Sequence, residues 1–245
     1  MRYFLTFAYR GTNYCGWQVQ PNGCSVQQVL TDALRTVARN ETLTVVGAGR
    51  TDAGVHATKM VAHFDVAQAI DDAAKFVARL NGVLPADIAV SQLRAVAADA
   101  HARFDATARH YEYHIVRHKS PFKTDLAWCV PFALNFDQMN AAAATLLEYS
   151  DFTSFSKTHT DVKTMNCHIT EAHWEQRGDE WVFCIAANRF LRNMVRAIVG
   201  TLVGVGKGRL SVDGFRAVIE AKSRCAAGMS VPACGLFLTE INYDY

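Results

Sequence analysis

The chain has 245 residues, with 25 Lys or Arg against 23 Asp or Glu, a formal net charge of +2 and 50% apolar residues. With 15 Gly and 5 Pro it is neither collagen-like nor disordered, and at roughly 100–200 residues per domain it holds one large or two small domains. The near-neutral total excludes a histone-like binder held by bulk positive charge, while leaving room for a local basic surface.

Arg2 to Tyr9 alternates, with Tyr3, Leu5, Phe7 and Tyr9 on one side, which predicts a strand. A turn-rich stretch from Gly11 to Gly23 follows. Ser25 then stands where a helix cap belongs, ahead of Val26, Val29, Leu30, Ala33, Leu34 and Val37 at helical spacing. Two strand-like runs, Leu43 to Gly49 and Ala57 to Val66, flank a loop. Asp71-Asp72 opens a second helix that is expected to stop at Asn81-Gly82, and Ile88 to Val96 reads as a strand. The order strand, helix, strand, strand, helix, strand is the split βαβ, ferredoxin-like pattern.

The second half repeats that order. It has a strand at Thr107 to Arg117, a helix from Asp137 to Tyr149, and a hairpin of Ile169 to Arg177 and Glu180 to Ala187 around Gly178-Asp179. A long helix is expected from Arg189 to about Gly204, a shorter one from Val212 to Lys222, and a last strand from Leu236 to Tyr243. The fold class expected is therefore α+β, two ferredoxin-like halves with antiparallel sheets. The domains would be residues 1–102 and 103–245. Ser120 to Asn135 and Thr153 to Cys167 are long connections, which commonly carry function.

The opening residues lack a charged segment followed by an apolar one, and the apolar run Ala197 to Gly206 is far short of the ~20 residues of a membrane span. A cytoplasmic protein with no membrane association is expected. The seven cysteines contain no C-x-x-C, so reduced thiols are favoured over a disulfide framework or a zinc knuckle.

One loop concentrates chemistry: Gly47-Ala48-Gly49-Arg50-Thr51-Asp52-Ala53-Gly54-Val55-His56-Ala57. Its glycines permit tight turns, and Arg50, Asp52 and His56 place unlike charges close together. The spacing fits neither a dinucleotide fingerprint nor a P-loop, since no Lys-Ser/Thr follows and the next element is a strand. Read by itself, Asp52 is better explained by an Asx-type turn with Thr51 and a pair with Arg50.

The string Gly-Arg-Thr-Asp-x-Gly-Val-His-Ala resembles the signature of the TruA family of tRNA pseudouridine synthases. Tyr14-x-Gly16-Trp17-Gln18-x-Gln20, Ala106-Thr107-Ala108-Arg109-x-Tyr111-x-Tyr113, Phe190-Leu191-x-x-Met194-Val195-Arg196-x-Ile198-Val199-Gly200 and Gly235-Leu236-Phe237-Leu238 resemble further stretches of that family. Arg10 departs from the family's usual Tyr-Asp-Gly-Thr. The resemblance implies isomerisation of uridine to pseudouridine at positions 38, 39 and 40 of the tRNA anticodon stem-loop, by a homodimer, with no metal and no small-molecule cofactor.

It also implies roles for residues. Asp52 would be the catalytic nucleophile, Tyr111 would pack on the target uracil, and Leu236 would close the site, with Tyr113 left in the core. Arg50 would fill the vacated position or hold the flipped phosphate. A carboxylate in a site closed to water needs a partner to stay ionised, and Arg196 is the candidate cation. On one continuous helix Arg189, Arg192, Asn193 and Arg196 would share a face, and Arg192 and Arg196 at i, i+4 would favour an anionic partner. His110 and His114 are too far apart along a strand for easy shared metal ligation and read as polar-face residues.

Two other functions compete. A non-catalytic RNA-binding module could stack bases on sheet aromatics, but the complete Asp52 loop argues against it. A glycosidase or nucleoside hydrolase would show a carboxylate pair, and no second acid stands near these motifs. Residues 189–209 carry five basic and no acidic side chains, so the small net charge conceals a local basic segment.

Overall fold

The structure is a computed structural model that describes residues 1–21, 23–157 and 164–245. Its contacts separate two compact units, Met1–Thr107 together with Leu238–Tyr245, and Ala108–Phe237. A single cut after residue 102 misses this division, because the last strand returns the chain to the first unit. Residues 158–163 of the long connection from Thr153 lie outside the described residues.

In the first unit, β1 (Arg2–Tyr9) lies between β3 (His56–Asp65) and β4 (Ile88–Val96), antiparallel to both. Leu5, fully buried, is opposite Ala62 on one side and Leu93 on the other. The Leu238–Tyr243 part of β9 (Leu236–Tyr243) and the short β2 (Val46–Gly47) also pair with β3. Helix α1 (Val26–Ala38) begins where Ser25 predicts, the Ser25 hydroxyl accepting from the Gln28 N–H at 3.2 Å. Its buried Leu30 and Leu34 each contribute about 1.5–3 kcal/mol by leaving water. Helix α2 (Ala73–Val83) is capped by Asp72, and its Phe76 stacks on Phe64 of β3.

Two expectations fail here for identifiable reasons. The run from Leu43 to Gly49 pairs as a strand only over Val46–Gly47, because the Leu43 and Val45 carbonyls accept from Arg35 and Gln27 side chains of α1. Helix α2 passes through Asn81-Gly82 and ends at Leu84, which is extended (φ −70°, ψ 146°) before Pro85. Asn81 instead holds both backbone groups of Val90 with its amide, at 2.8 Å each.

In the second unit, β5 (Ala106–Val116), β8 (Glu180–Ala187) and β7 (Ile169–Arg177) form an antiparallel sheet in that order, with β6 (Trp128–Cys129) parallel to β5. Helices α3 (Phe136–Ala144), α4 (Met194–Gly206) and α5 (Val212–Glu220) complete it. Phe136 stacks on Trp181 of β8 with ring centres 3.7 Å apart and planes at 4°, fixing α3 to the sheet. The helix expected to run to Tyr149 tightens into a 3-10 turn at Thr145–Glu148, where the Thr145 hydroxyl donates to the Ala142 carbonyl.

The largest correction concerns the Arg-rich segment. Helix α4 starts at Met194, and Arg189 to Asn193 precede it. Asn193 has a left-handed backbone (φ 66°), which interrupts the helical path, and its amide donates to the Ser230 hydroxyl. Arg189 and Arg192 therefore do not share a helix face with Arg196. No helix among the described residues is long and apolar enough to cross a membrane. The seven cysteines are free thiols.

Candidate active site

The Asp52 loop is held by the stretch that follows β1. The Trp17 N–H donates to the Thr51 carbonyl at 3.2 Å, and the Gly54 N–H donates to the Tyr14 carbonyl at 3.3 Å. Gly16 has φ +90°, and a Cβ there would lie 2.4 Å from the Thr51 carbonyl oxygen, so the close approach of the two segments requires glycine. The Tyr9 hydroxyl and Thr51 Oγ1 are hydrogen-bonded at 2.8 Å in the interior.

Beyond Asp52 the chain turns back at once. The Val55 N–H donates to the Asp52 main-chain carbonyl at 3.2 Å, with Gly54 at φ 78° in the third position of the turn. The Asp52 main-chain carbonyl closes this turn. His56 is 1% exposed, and its Nδ1 accepts from the Gly11 N–H at 3.0 Å, so its neutral form carries the proton on Nε2. The Asp52 side chain is half-buried and Arg50 is exposed.

The N-terminal stretch is itself anchored. The Tyr14 hydroxyl donates to Asp87 Oδ1 at 2.6 Å, the Asn13 amide donates to Asp87 Oδ2, and the Arg10 N–H donates to the Asp87 carbonyl at 2.9 Å. Burial and the Asp87 carboxylate raise the Tyr14 phenol above its usual range. Arg10 thus contributes to this turn through its backbone.

The other predicted residues lie in the second unit. Arg196, in the first turn of α4, donates from Nε to the Val231 carbonyl at 2.7 Å, and the Val231 N–H donates to the Arg196 carbonyl at 3.2 Å. Tyr113 is fully buried and donates to the Pro232 carbonyl at 2.8 Å, while a Cβ on Gly235 would meet its ring at 2.9 Å. Burial pushes the Tyr113 phenol well up, against the opposing field of Arg196. The segment 231–236 therefore ties together Arg196, Tyr113 and Leu236, the last of which is 6% exposed at the start of β9.

Tyr111 is half-buried two residues earlier on β5, its ring edge-on to Phe190 with centres 5.1 Å apart at 85°. Arg189 reaches the Thr164 carbonyl at 3.5 Å, and the Arg192 carbonyl accepts from the Lys157 N–H. Sequence reading supplied no partner for Tyr9, Gly16, Trp17 or Val231, although the spacing Tyr14-x-Gly16-Trp17 marked the first of these segments. His114 lies between two acids, Nδ1 2.7 Å from Glu180 and Nε2 3.2 Å from Glu112.

Comparison with known proteins identifies the family. The family described as tRNA pseudouridine synthase matches residues 5–105 and 142–244. The chain is 56% identical over 242 residues to tRNA pseudouridine synthase A of Parabacteroides distasonis, covering 99% of this chain and 96% of that protein. It is 56% identical over 245 residues to the protein of that name in Bacteroides thetaiotaomicron, covering 99% and 90%. It is 41% identical over 247 residues to the one in Bacillus licheniformis, covering both chains completely. The chain belongs to the tRNA pseudouridine synthase family, isomerases that convert uridine to pseudouridine.

Proposed function

We propose that the chain isomerises uridine at positions 38, 39 and 40 of the tRNA anticodon stem-loop, with Asp52 as nucleophile. The observation that carries this reading is the fixed Asp52 loop: Thr51 is bonded through both its carbonyl and its hydroxyl, so the next side chain is presented from a rigid backbone. Preorganisation of this kind makes an attacking group effective, since freedom lost before the reaction need not be lost during it.

The reaction breaks the bond from uracil N1 to C1′ and forms one from C5 to C1′. The C5 proton leaves and N1 gains one, so composition and oxidation state are unchanged and no redox cofactor is called for. Asp52 acts either by attack at C1′ or by assisting proton abstraction on a glycal route. In this reading Arg196 pairs with the Asp52 carboxylate and keeps it ionised. The Val231 carbonyl, by fixing Nε, orients the rest of the guanidinium. Tyr111 stacks on the uracil after it leaves the helix stack, Arg50 holds the flipped nucleotide, and Leu236 excludes water.

Each half is read as a split βαβ fold, a reading supported in the first unit by the strand sequence β4-β1-β3 with β2 on β3. The functional form in this proposal is a cytoplasmic homodimer that binds tRNA. The test is to map pseudouridine in tRNA treated with the wild-type protein and with Asp52→Asn. Conversion confined to positions 38–40 and lowered by ~10⁴-fold or more in the variant is expected, with RNA affinity little changed. Conversion elsewhere overturns the positional assignment, and comparable turnover by the variant overturns the nucleophile.

A further inference from the structure

We propose that His173, Glu175 and Cys184 bind a divalent transition-metal ion, zinc by its donor set, on the face of the second unit's sheet opposite Tyr111. His173 and Glu175 are two residues apart on β7 and so project from one face, and Cys184 is the direct cross-strand partner of His173 on β8. On β5 Glu112 is opposite Cys184 whereas Tyr111 is opposite Ile185, which puts the cluster on the far side of the sheet from Tyr111. One ligand atom from each of the three residues lies within 4.8 Å of the other two, a spacing that a tetrahedral ion closes with small side-chain movements.

The surroundings favour an ion over a solvated polar patch. His173 directs Nε2 toward Glu175 at 3.9 Å and Nδ1 toward Glu171 at 3.4 Å. A carboxylate on the remaining ring nitrogen is the usual outer partner of a metal-bound histidine, because it fixes the tautomer and raises the basicity of the ligating nitrogen. The set of one imidazole, one carboxylate and one thiolate suits zinc better than the hard cations, which take oxygen alone. Glu175 and a Cys184 thiolate cancel the charge of a divalent ion, so the occupied site is neutral.

Arg177 occupies this position as a cation. It donates to Glu175 Oε1 at 2.5 Å and its Nη2 is 3.4 Å from Cys184 Sγ, while Nη1 also donates to Glu112 Oε1 at 2.9 Å. On metal entry Arg177 gives up Glu175 and Cys184 and keeps Glu112, and the Cys184 thiol releases its proton to solvent. His173, Glu175 and Glu171 are all close to 40% exposed, so an ion reaches the site without rearrangement of the sheet. The isomerisation uses none of these residues, and the metal's effect is on binding and stability.

The test is titration of the full, chelator-treated chain with Co²⁺, followed by Zn²⁺. The wild type is expected to develop thiolate-to-cobalt absorption that a single equivalent of zinc removes. Cys184→Ser abolishes that absorption, and His173→Gln, at a half-exposed position tolerant of change, lowers zinc affinity by ~100-fold or more. Glu171→Gln lowers it by ~10-fold. Arg177→Gln, which removes the competing cation, raises zinc affinity several-fold, a gain that a merely structural cluster would not produce. Absence of the absorption in the wild type, its persistence in Cys184→Ser, or unchanged zinc affinity in His173→Gln or Arg177→Gln overturns the site.

Discussion

The hydroxyl of Tyr9 and the side-chain oxygen of Thr51 are 2.8 Å apart in the protein interior, one residue before Asp52. This bond joins the end of β1 to the Asp52 loop. In Tyr9→Phe the ring still packs against Phe7, but the Thr51 hydroxyl loses this partner in a buried position. A loss of ~1–3 kcal/mol in stability is expected, with turnover reduced more than tRNA affinity. Chemical denaturation and single-turnover kinetics read the two effects, and an unchanged rate would show that the bond does not position the loop.

Glycine at position 16 carries a separate expectation. Ala at that site must adopt φ +90° and place Cβ 2.4 Å from the Thr51 carbonyl oxygen. Gly16→Ala should cost about 2–4 kcal/mol, the range of strained backbone substitutions. By contrast Gly82→Ala, at an exposed position of helix α2 with nothing within 4 Å of a new Cβ, should stabilise the chain by ~0.5–1 kcal/mol. Thermal unfolding of the pair distinguishes local strain from a general sensitivity of glycines.

Arg196→Lys keeps the charge and removes the Nε donor that bonds the Val231 carbonyl. If orientation matters as argued, the lysine variant retains roughly a hundredth of the wild-type kcat/KM, as for a misplacement of about 1 Å. Full activity in Arg196→Lys would mean that charge alone suffices.

His63 provides a pH signature. Burial lowers its pKa to about 4 from the ordinary value of 6.5, with Arg2 and His101 adding to the shift, and its Nδ1 accepts from the Ala102 N–H. The unfolded chain gains a proton near pH 6.5 that the folded chain resists until about pH 4. The contribution is therefore complete above pH 6.5 and declines as pH falls through that window, by up to ~1.4 kcal/mol per pH unit. Denaturation of wild type and His63→Gln at several pH values checks this, and the difference between them should shrink toward pH 4. A constant difference would contradict the neutral state of His63.

Much of the architecture was legible in local sequence. Alternation bounded β1, β7, β8 and β9 closely, and Ser25 and Asp72 marked helix starts because a side-chain oxygen must satisfy the first free N–H groups. The motif containing Asp52 was also visible as a string. The boundary of α4 was not, since periodicity continues through Arg189 to Asn193 whereas a left-handed Asn193 depends on its bond to Ser230. The strand expected at Leu43 failed for a related reason, its carbonyls being taken by side chains of α1.

The sequence by itself determined the family and much of the order of elements, because these depend on residue identity and short-range spacing. Only the tertiary structure decided that Trp17 and Tyr9 hold Thr51, that Val231 fixes Arg196, and that His173, Glu175 and Cys184 meet across two strands. Those contacts depend on register and on main-chain hydrogen bonds between segments distant in the chain. A backbone carbonyl is the same group at every position, so residue identity alone does not reveal which one a side chain will find.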